Sequence, residues 1–169
     1  MASALNGLGD VALAEGDYSR ARRLFNDSLT RFQQIKDDWG VAGGLRDLGD
    51  LARHSGDHPG ACGYYKQALG LFRRLDHRRG IVRVLEHLAC CAALEARPDC
   101  ALTLAGAAAG MREKLGMPPS AAEQKELDQM LRDTRDNLAE AERNKSWAEG
   151  HVMSIDNVLE YVLGAEHKN

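Results

Sequence analysis

Residues 8–29 read LGDVALAEGDYSRARRLFNDSL and residues 48–69 read LGDLARHSGDHPGACGYYKQAL, so one pattern occurs twice, forty residues apart. Residues 88–109 read LACCAALEARPDCALTLAGAAA and form a looser third copy in the same register. A fixed period of this size is typical of proteins that stack similar supersecondary units. The repeat therefore indicates a stack of units rather than a single globular core.

The apolar residues within each copy recur at the spacing of an α-helix. In the first copy, Leu5, Leu8 and Ala12 predict one helix, and Gly16-Asp17 marks the turn that ends it. A second helix is predicted, with an apolar face made of Tyr18, Ala21, Leu24, Phe25, Ser28, Leu29 and Phe32.

The three copies align without a gap at a set of apolar positions. These are Leu5/Leu45/Leu85, Leu8/Leu48/Leu88, Ala12/Ala52/Ala92 and Ala21/Ala61/Ala101. We therefore expect an all-α chain with three helix-turn-helix units, at about residues 2–37, 42–77 and 82–116.

The first two copies resemble the signature of the tetratricopeptide repeat family. The residues that carry the resemblance are Leu8-Gly9 and Leu48-Gly49, Ala21 and Ala61, Phe25 and Tyr65, and Ser28 and Ala68. The resemblance implies a right-handed α-solenoid, in which small residues lie where helices cross and an aromatic ring fills the gap. The third copy has Ala105 in the aromatic position. Because the period exceeds the usual 34 residues, the second helix or the inter-repeat turn is expected to be one to two turns longer.

The residues after the third copy, 117–169, predict a cap for the stack. Ser120 precedes Glu123 in a capping-box pattern, and a long charged helix is expected over residues 120–142. Trp147 is expected to anchor this segment. A short last helix follows, with Ser154 or Asp156 as its N-cap.

The same region carries a second, narrower resemblance. Residues 104–120 read LAGAAAGMREKLGMPPS and residues 146–163 read SWAEGHVMSIDNVLEYVL. This order resembles the C-terminal end of bacterial multidomain regulators. In these proteins, tetratricopeptide repeats follow a STAND-type regulatory ATPase module, alongside a LuxR-type DNA-binding or nucleotide cyclase domain. The activities of those domains do not transfer to this chain. We expect the chain to be a fragment of such a protein, with Met1 introduced by cloning.

Composition and charge narrow the functional classes. A formal net charge of -3 and a pI near 6.1 do not favour binding to nucleic acid or to anionic membranes. No apolar run approaches the ~20 residues of a membrane span, and no signal peptide begins the chain. A cytoplasmic location is expected, with protein or peptide partners, which include the parent protein's own ATPase domain. The apolar face at the start of the first helix predicts self-association into a homo-oligomer.

The cysteines and histidines do not predict a metal site. The four cysteines, Cys62, Cys90, Cys91 and Cys100, lack CxxC spacing and are expected to be small buried thiols. Gly56-Asp57 interrupts the helix between His54 and His58, which removes the i,i+4 geometry of a zinc helix. No cofactor is expected either.

No catalytic motif was found in the sequence, which contains no HExxH, GxSxG or Gly-rich phosphate loop. The chain is therefore expected not to be an enzyme. The basic run at residues 73–79 is expected at the C-terminus of a helix because of the helix dipole, although it could also contact an acidic partner.

The tetratricopeptide resemblance implies a concave groove lined by the first helix of each unit. The positions it points to are Asn6, Asp10, Arg46, Asp50, Arg53, Arg83 and Glu86. They would form a mixed-charge groove for an extended or helical peptide. The alternative is a solvated face with ion pairs worth only ~0.3–0.5 kcal/mol each. Asp10 and Asp50 would repel an acidic peptide tail.

The function expected from these observations is that of an interaction or regulatory module of a bacterial signalling protein. It would bind a peptide or a partner domain in its groove. The alternative is a sensor domain for a small molecule or a signal peptide, which switches an attached effector.

Overall fold

The structure, a computed structural model, describes residues 1–164, and these residues form nine α-helices and no β-strand. The helices are α1 Ala2–Ala14, α2 Tyr18–Gln34, α3 Asp38–His54, α4 His58–Arg74, α5 Arg78–Leu94, α6 Pro98–Leu115, α7 Ala121–Asp136, α8 Glu140–His151 and α9 Ile155–Leu163. The all-α prediction is confirmed. None of the helices in residues 1–164 combines the length and apolar character needed to cross a bilayer.

The forty-residue period arises from two helices of equal length and two short links. Helices α2 to α5 each have 17 residues, and links of three residues join them. Of the two places where extra length was expected, the inter-repeat turn does not carry it, because the turn between α2 and α3 is as short as the turn inside each pair.

The links share one local conformation. Each contains a residue with positive φ followed by the residue that caps the next helix, as in Gly16-Asp17 and Gly56-Asp57. The carboxylates of Asp17 and Asp57 accept hydrogen bonds from the backbone N–H of Arg20 and Gly60, respectively. A side-chain cap of this kind satisfies one of the N–H groups left without a helical partner. The starts of α2 and α4 are therefore marked by a local hydrogen bond within the sequence itself.

The described chain divides into two compact units, Met1–Val84 and the residues from Leu85 onward. In the first unit, α1 packs on α2, α2 on α3, and α3 on α4. Its core contains Ala12, Ala21, Phe25, Leu48 and Leu51, all at most 2% exposed. Burial of these side chains is the main favourable term that holds the unit together.

Two glycines of the first unit receive the aromatic rings predicted to fill the helix crossings. A β-carbon at Gly9 would lie 2.5 Å from the Phe25 ring, and one at Gly49 would lie 2.5 Å from the Tyr65 ring. Both distances are far below van der Waals contact. The glycines of the two Leu-Gly dipeptides are therefore packing positions, as the sequence suggested. Leu48 is buried as well, but Leu8 is 47% exposed, so the buried position predicted for Leu8 is wrong.

In the second unit, α6 packs most closely on α8, and it also contacts α7 and α9. The α6–α8 crossing brings backbone against backbone. A β-carbon at Gly106 would collide with the carbonyl oxygen of Trp147, and one at Gly150 would collide with that of Thr103. Trp147 thus lies on a helix held against α6, where it was expected to be an anchor.

The single charged helix expected over residues 120–142 is instead two helices. Helix α7 ends at Asp136, and α8 begins at Glu140 after a short link. The chain has to turn here because the glycine contacts hold α8, and not the end of α7, against α6. The capping box at Ser120 and Glu123 and the Ser154 cap are present as predicted.

Candidate functional site

Asp47 of α3 is the centre of a polar cluster on the first unit. Only 7% of its side chain is exposed. Asn6 of α1 donates to its Oδ2 at 2.7 Å, and Arg46 donates to its Oδ1 from Nε at 3.0 Å and from Nη2 at 2.7 Å. A buried carboxylate needs such partners because its desolvation costs several kcal/mol. Asp47 therefore links α1 to α3 and fixes the position of Asn6 and Arg46.

Asp10 and Asp50, which are equivalent in the first two copies, add two carboxylates beside Asp47. Partial burial raises the pKa of Asp10; the charges of Asp47 and Asp50 also raise it, and Arg46 opposes them. We call Asn6, Asp10, Arg46, Asp47 and Asp50 the Asp47 cluster. It holds three carboxylates and one guanidinium group, and a second guanidinium group, that of Arg53, lies close to Asp50. The carboxylates still outnumber the cations, so a further cation placed here would relieve the repulsion between them.

Asp50 also has a structural role. The buried Tyr65 hydroxyl donates a hydrogen bond to Asp50 Oδ1 at 2.6 Å. Burial raises the pKa of Tyr65 above its ordinary value, and the Asp50 carboxylate raises it further, while Arg53 opposes both. Arg53 therefore lies near the same hydroxyl. Asp50 and Arg53 thus meet at the ring that fills the crossing of α3 and α4.

The seven predicted groove residues fall into two groups. The first unit brings Asn6, Asp10, Arg46, Asp50 and Arg53 into the neighbourhood just described. Arg83 lies on the part of α5 that belongs to this unit, and it is partly buried. Glu86 lies in the second unit, where Arg112 donates to it at 2.6 and 3.0 Å. That all seven residues line one groove stays a prediction.

The sequence did not identify Asp47 or Arg112 as candidate functional residues. The positions equivalent to Asp47 are occupied by Gly7 and His87, so the repeat gives no sign of a carboxylate there. The residues equivalent to Arg112 are Phe32 and Phe72, which predict a core position. The sequence did contain one signal for Arg112, because this residue is charged where the other two copies have a phenylalanine.

A second cluster in the first unit surrounds His77, the residue that caps α5. Its Nδ1 accepts a hydrogen bond from the backbone N–H of Gly80 at 3.1 Å. The ring of Trp39 packs on it with centroids 3.9 Å apart, and Phe72 lies 5.2 Å away. Burial lowers the pKa of His77, and the charges of Arg79 and Arg46 lower it further. The geometry indicates a capping role for a neutral imidazole.

The remaining sequence candidates lie in ordinary structural places. Arg73 and Arg74 occupy the last turn of α4, where the helix dipole favours cations. The same placement predicted for Arg78 and Arg79 is wrong, because these two residues begin α5. Cys90 and Cys91 are buried as expected, whereas Cys62 and Cys100 are partly exposed, and none of the four forms a disulfide. Within residues 1–164, no group of three or more His, Cys, Asp or Glu side chains is placed to hold a metal ion.

A scan against protein-family models finds no match to this chain, and a search of curated proteins finds none either.

Proposed function

We propose that this chain is a non-catalytic interaction module of a bacterial signalling or transcription-regulatory protein. It binds a peptide or a partner domain through polar side chains of α1 and α3. The observation that carries the proposal is the Asp47 cluster, in which a buried carboxylate holds side chains of two helices in fixed positions. Pre-organised polar groups lose little conformational entropy on binding, which favours their use in recognition. The resemblances at residues 8–69 and 100–165 support the cellular context, which would be cytoplasmic.

The charge of the cluster defines the class of partner. Arg46 offsets Asp47 and Arg53 lies close to Asp50, so Asp10 leaves an excess negative charge in this neighbourhood. The partner is therefore a peptide with Lys or Arg side chains, or a basic face of a folded domain. The ATPase domain of the parent protein is one such candidate. An acidic peptide would meet repulsion at the same place.

The test is an affinity selection of random peptides on the purified chain, followed by titration of the selected peptides. We expect enrichment of Lys and Arg, affinity that weakens with salt, and about tenfold weaker binding to Asp10→Asn. Asp27→Asn is the matched control, since Asp27 is an exposed carboxylate on α2. Failure to enrich any peptide, or equal affinity of wild type and Asp10→Asn, would contradict the proposal.

Asp10 is a better test position than the arginines of the cluster. A variant with Arg46→Ala and Arg53→Ala would also lose binding through the groove, but it would leave Asp47 buried with fewer donors. A loss of binding would then report unfolding as well as recognition. Asp10 is an exposed residue of α1, and its amide variant keeps the size of the side chain while it removes one of the charges beside Asp47.

We also propose that α1 mediates self-association. Leu8 is 47% exposed and Val11 is 51% exposed, although the equivalent Leu48 and Leu51 are 2% and 0% exposed. These positions are ones that the repeat buries against another helix, and a second copy of the chain would cover them. Sedimentation velocity over a concentration series should show dimers that the Leu8→Glu variant lacks; a wild-type monomer at all concentrations would contradict this.

A further inference from the structure

The second unit contains a cavity of about 370 Å³ formed by α6, α7, α8 and the link between α6 and α7. Most of its lining is apolar, with Ala105 and Ala109 on α6, Met117 in the link, Leu127 on α7 and Trp147 on α8. This volume lies in the range of about 300–1,000 Å³ that is typical of small-molecule sites.

At the positions that border the cavity, the third copy of the repeat lacks three large apolar side chains that the second copy has. The equivalent residues are Ala105 for Phe25 and Tyr65, Ala109 for Leu29 and Leu69, and Arg112 for Phe32 and Phe72. In the second copy, Tyr65, Leu69 and Phe72 are buried to at least 98% and form core. Two alanines and an arginine at these positions leave space, which Trp147 borders from α8. The cavity therefore borders positions that the second copy fills with core side chains.

Arg112 lines this cavity, but its guanidinium group is already occupied. It donates to Glu86 from Nε at 2.6 Å and from Nη2 at 3.0 Å, and Nη1 donates to the carbonyl oxygen of Met117 at 3.2 Å. The Arg112 and Glu86 side chains are only 11% and 14% exposed. Glu123 approaches Nη2 at 3.9 Å. An anionic ligand would have to displace a carboxylate from a buried bidentate pair, which is costly.

The carboxylates around the cavity outnumber the cations. Glu86 neutralises Arg112, and Glu113 adds a carboxylate at the rim, with 70% of its side chain exposed. His151 lies 3.2 Å from Glu113, and it carries a positive charge only when protonated. The lining is thus an apolar chamber with an aromatic wall and a negatively charged rim. Arg135 already lies over the Trp147 ring, 5.9 Å from its centroid. The preference for an ammonium group over an anion therefore rests on the Glu113 carboxylate, and the Trp147 ring packs against an apolar group.

We propose that this cavity is a binding site for a small organic cation, an aryl or alkyl group that carries one ammonium charge. The apolar group lies against Trp147 and Leu127, and the ammonium group faces Glu113. The site is separate from the Asp47 cluster, so it does not depend on peptide binding there.

The test uses the fluorescence of Trp147 in a Trp39→Phe background, where it is the remaining tryptophan of the two in the sequence. The full chain is titrated with 2-phenylethylamine, 2-phenylethanol and phenylacetate, which share a ring and differ in charge. We expect saturable binding of the amine, weaker binding of the alcohol, and binding of phenylacetate roughly tenfold weaker than that of the amine. Equal or tighter binding of phenylacetate would overturn the assigned ligand class, and no saturable binding of any probe would overturn the site.

Three variants connect the signal to the cavity. Ala109→Phe fills the chamber and should abolish binding, whereas Ala122→Phe, at an exposed position of α7, should leave it unchanged. Glu113→Gln should remove the preference for the amine over the alcohol and retain binding of the alcohol. Because Glu113 is a surface residue, the Glu113→Gln variant should fold, and it tests the assigned ligand class even if Ala109→Phe fails to fold. Binding that persists in folded Ala109→Phe, or an undiminished amine preference in Glu113→Gln, would overturn the proposal.

Discussion

The ring of Tyr65 lies against Gly49, so closely that a β-carbon at position 49 would stand 2.5 Å from Cε1 of the ring. Phe25 and Gly9 make the same pair forty residues earlier. In the third copy the corresponding residues are Ala89 and Ala105, so both the glycine and the aromatic ring are replaced by alanine. The two positions behave as one unit of packing, in which the larger ring requires the absence of a side chain opposite it.

This pairing predicts the effect of a single methyl group. Gly49→Ala should lower the free energy of unfolding by about 1–3 kcal/mol, because the Tyr65 ring is buried and hydrogen-bonded to Asp50 and cannot easily move aside. Urea denaturation, monitored by circular dichroism at 222 nm, would measure this change in the free energy of unfolding. Gly43→Ala, in the same helix but with no atom within 4 Å of the new methyl group, should instead stabilise by about 0.5–1 kcal/mol. Equal effects of the two substitutions would contradict this account.

Asp47 predicts a second stability effect. Asp47→Asn keeps the shape of the side chain but replaces one acceptor oxygen by an amide and removes the charge that pairs with Arg46. We expect a loss of about 1–3 kcal/mol in the free energy of unfolding. The control is Asp133→Asn, at an exposed position of α7, which should change it by less than about 0.5 kcal/mol. A neutral result for Asp47→Asn would mean that the cluster does not hold α1 on α3.

The His77 cap predicts a dependence of stability on pH. Its pKa is lowered in the folded state, from an ordinary value of 6.5, so the unfolded chain binds the proton more readily. The contribution to stability is complete above pH 6.5 and is lost as the pH falls through the folded pKa. His77→Asn retains a capping oxygen and does not titrate. The difference in unfolding free energy, wild type minus His77→Asn, should therefore fall between pH 7.5 and 5; a constant difference would disprove the role of the imidazole.

The helices could be predicted from the sequence because their signals are local. The turns at Gly16-Asp17 and Gly56-Asp57 and the capping box at Ser120 each specify a helix boundary through backbone hydrogen bonds within a few residues. The glycine positions 9 and 49 and the aromatic positions 25 and 65 repeated with the period, and this repetition identified them as packing residues before their contacts were known.

Features that depend on long-range contacts were harder to predict. The end of α7 at Asp136 follows from the packing of α8 on α6 through Gly106 and Gly150. The next residues contain no glycine or proline that would predict a helix end there. The burial of Asp47 depends on Asn6, which is 41 residues away in the chain. The cavity depends on the small side chains of Ala105 and Ala109. The repeat showed that Ala105 replaces an aromatic residue, but this replacement alone did not predict an open space.

The most direct test of the proposed function is to map where a selected basic peptide binds, by changes in backbone amide chemical shifts on titration. The account predicts that the largest changes fall on residues 6–10 of α1 and residues 46–53 of α3, and that they are reduced in Asp10→Asn and retained in Asp27→Asn. Changes that concentrate instead on α2 and α4, with the α1 and α3 amides unaffected, would contradict the assignment of the Asp47 cluster as the binding surface.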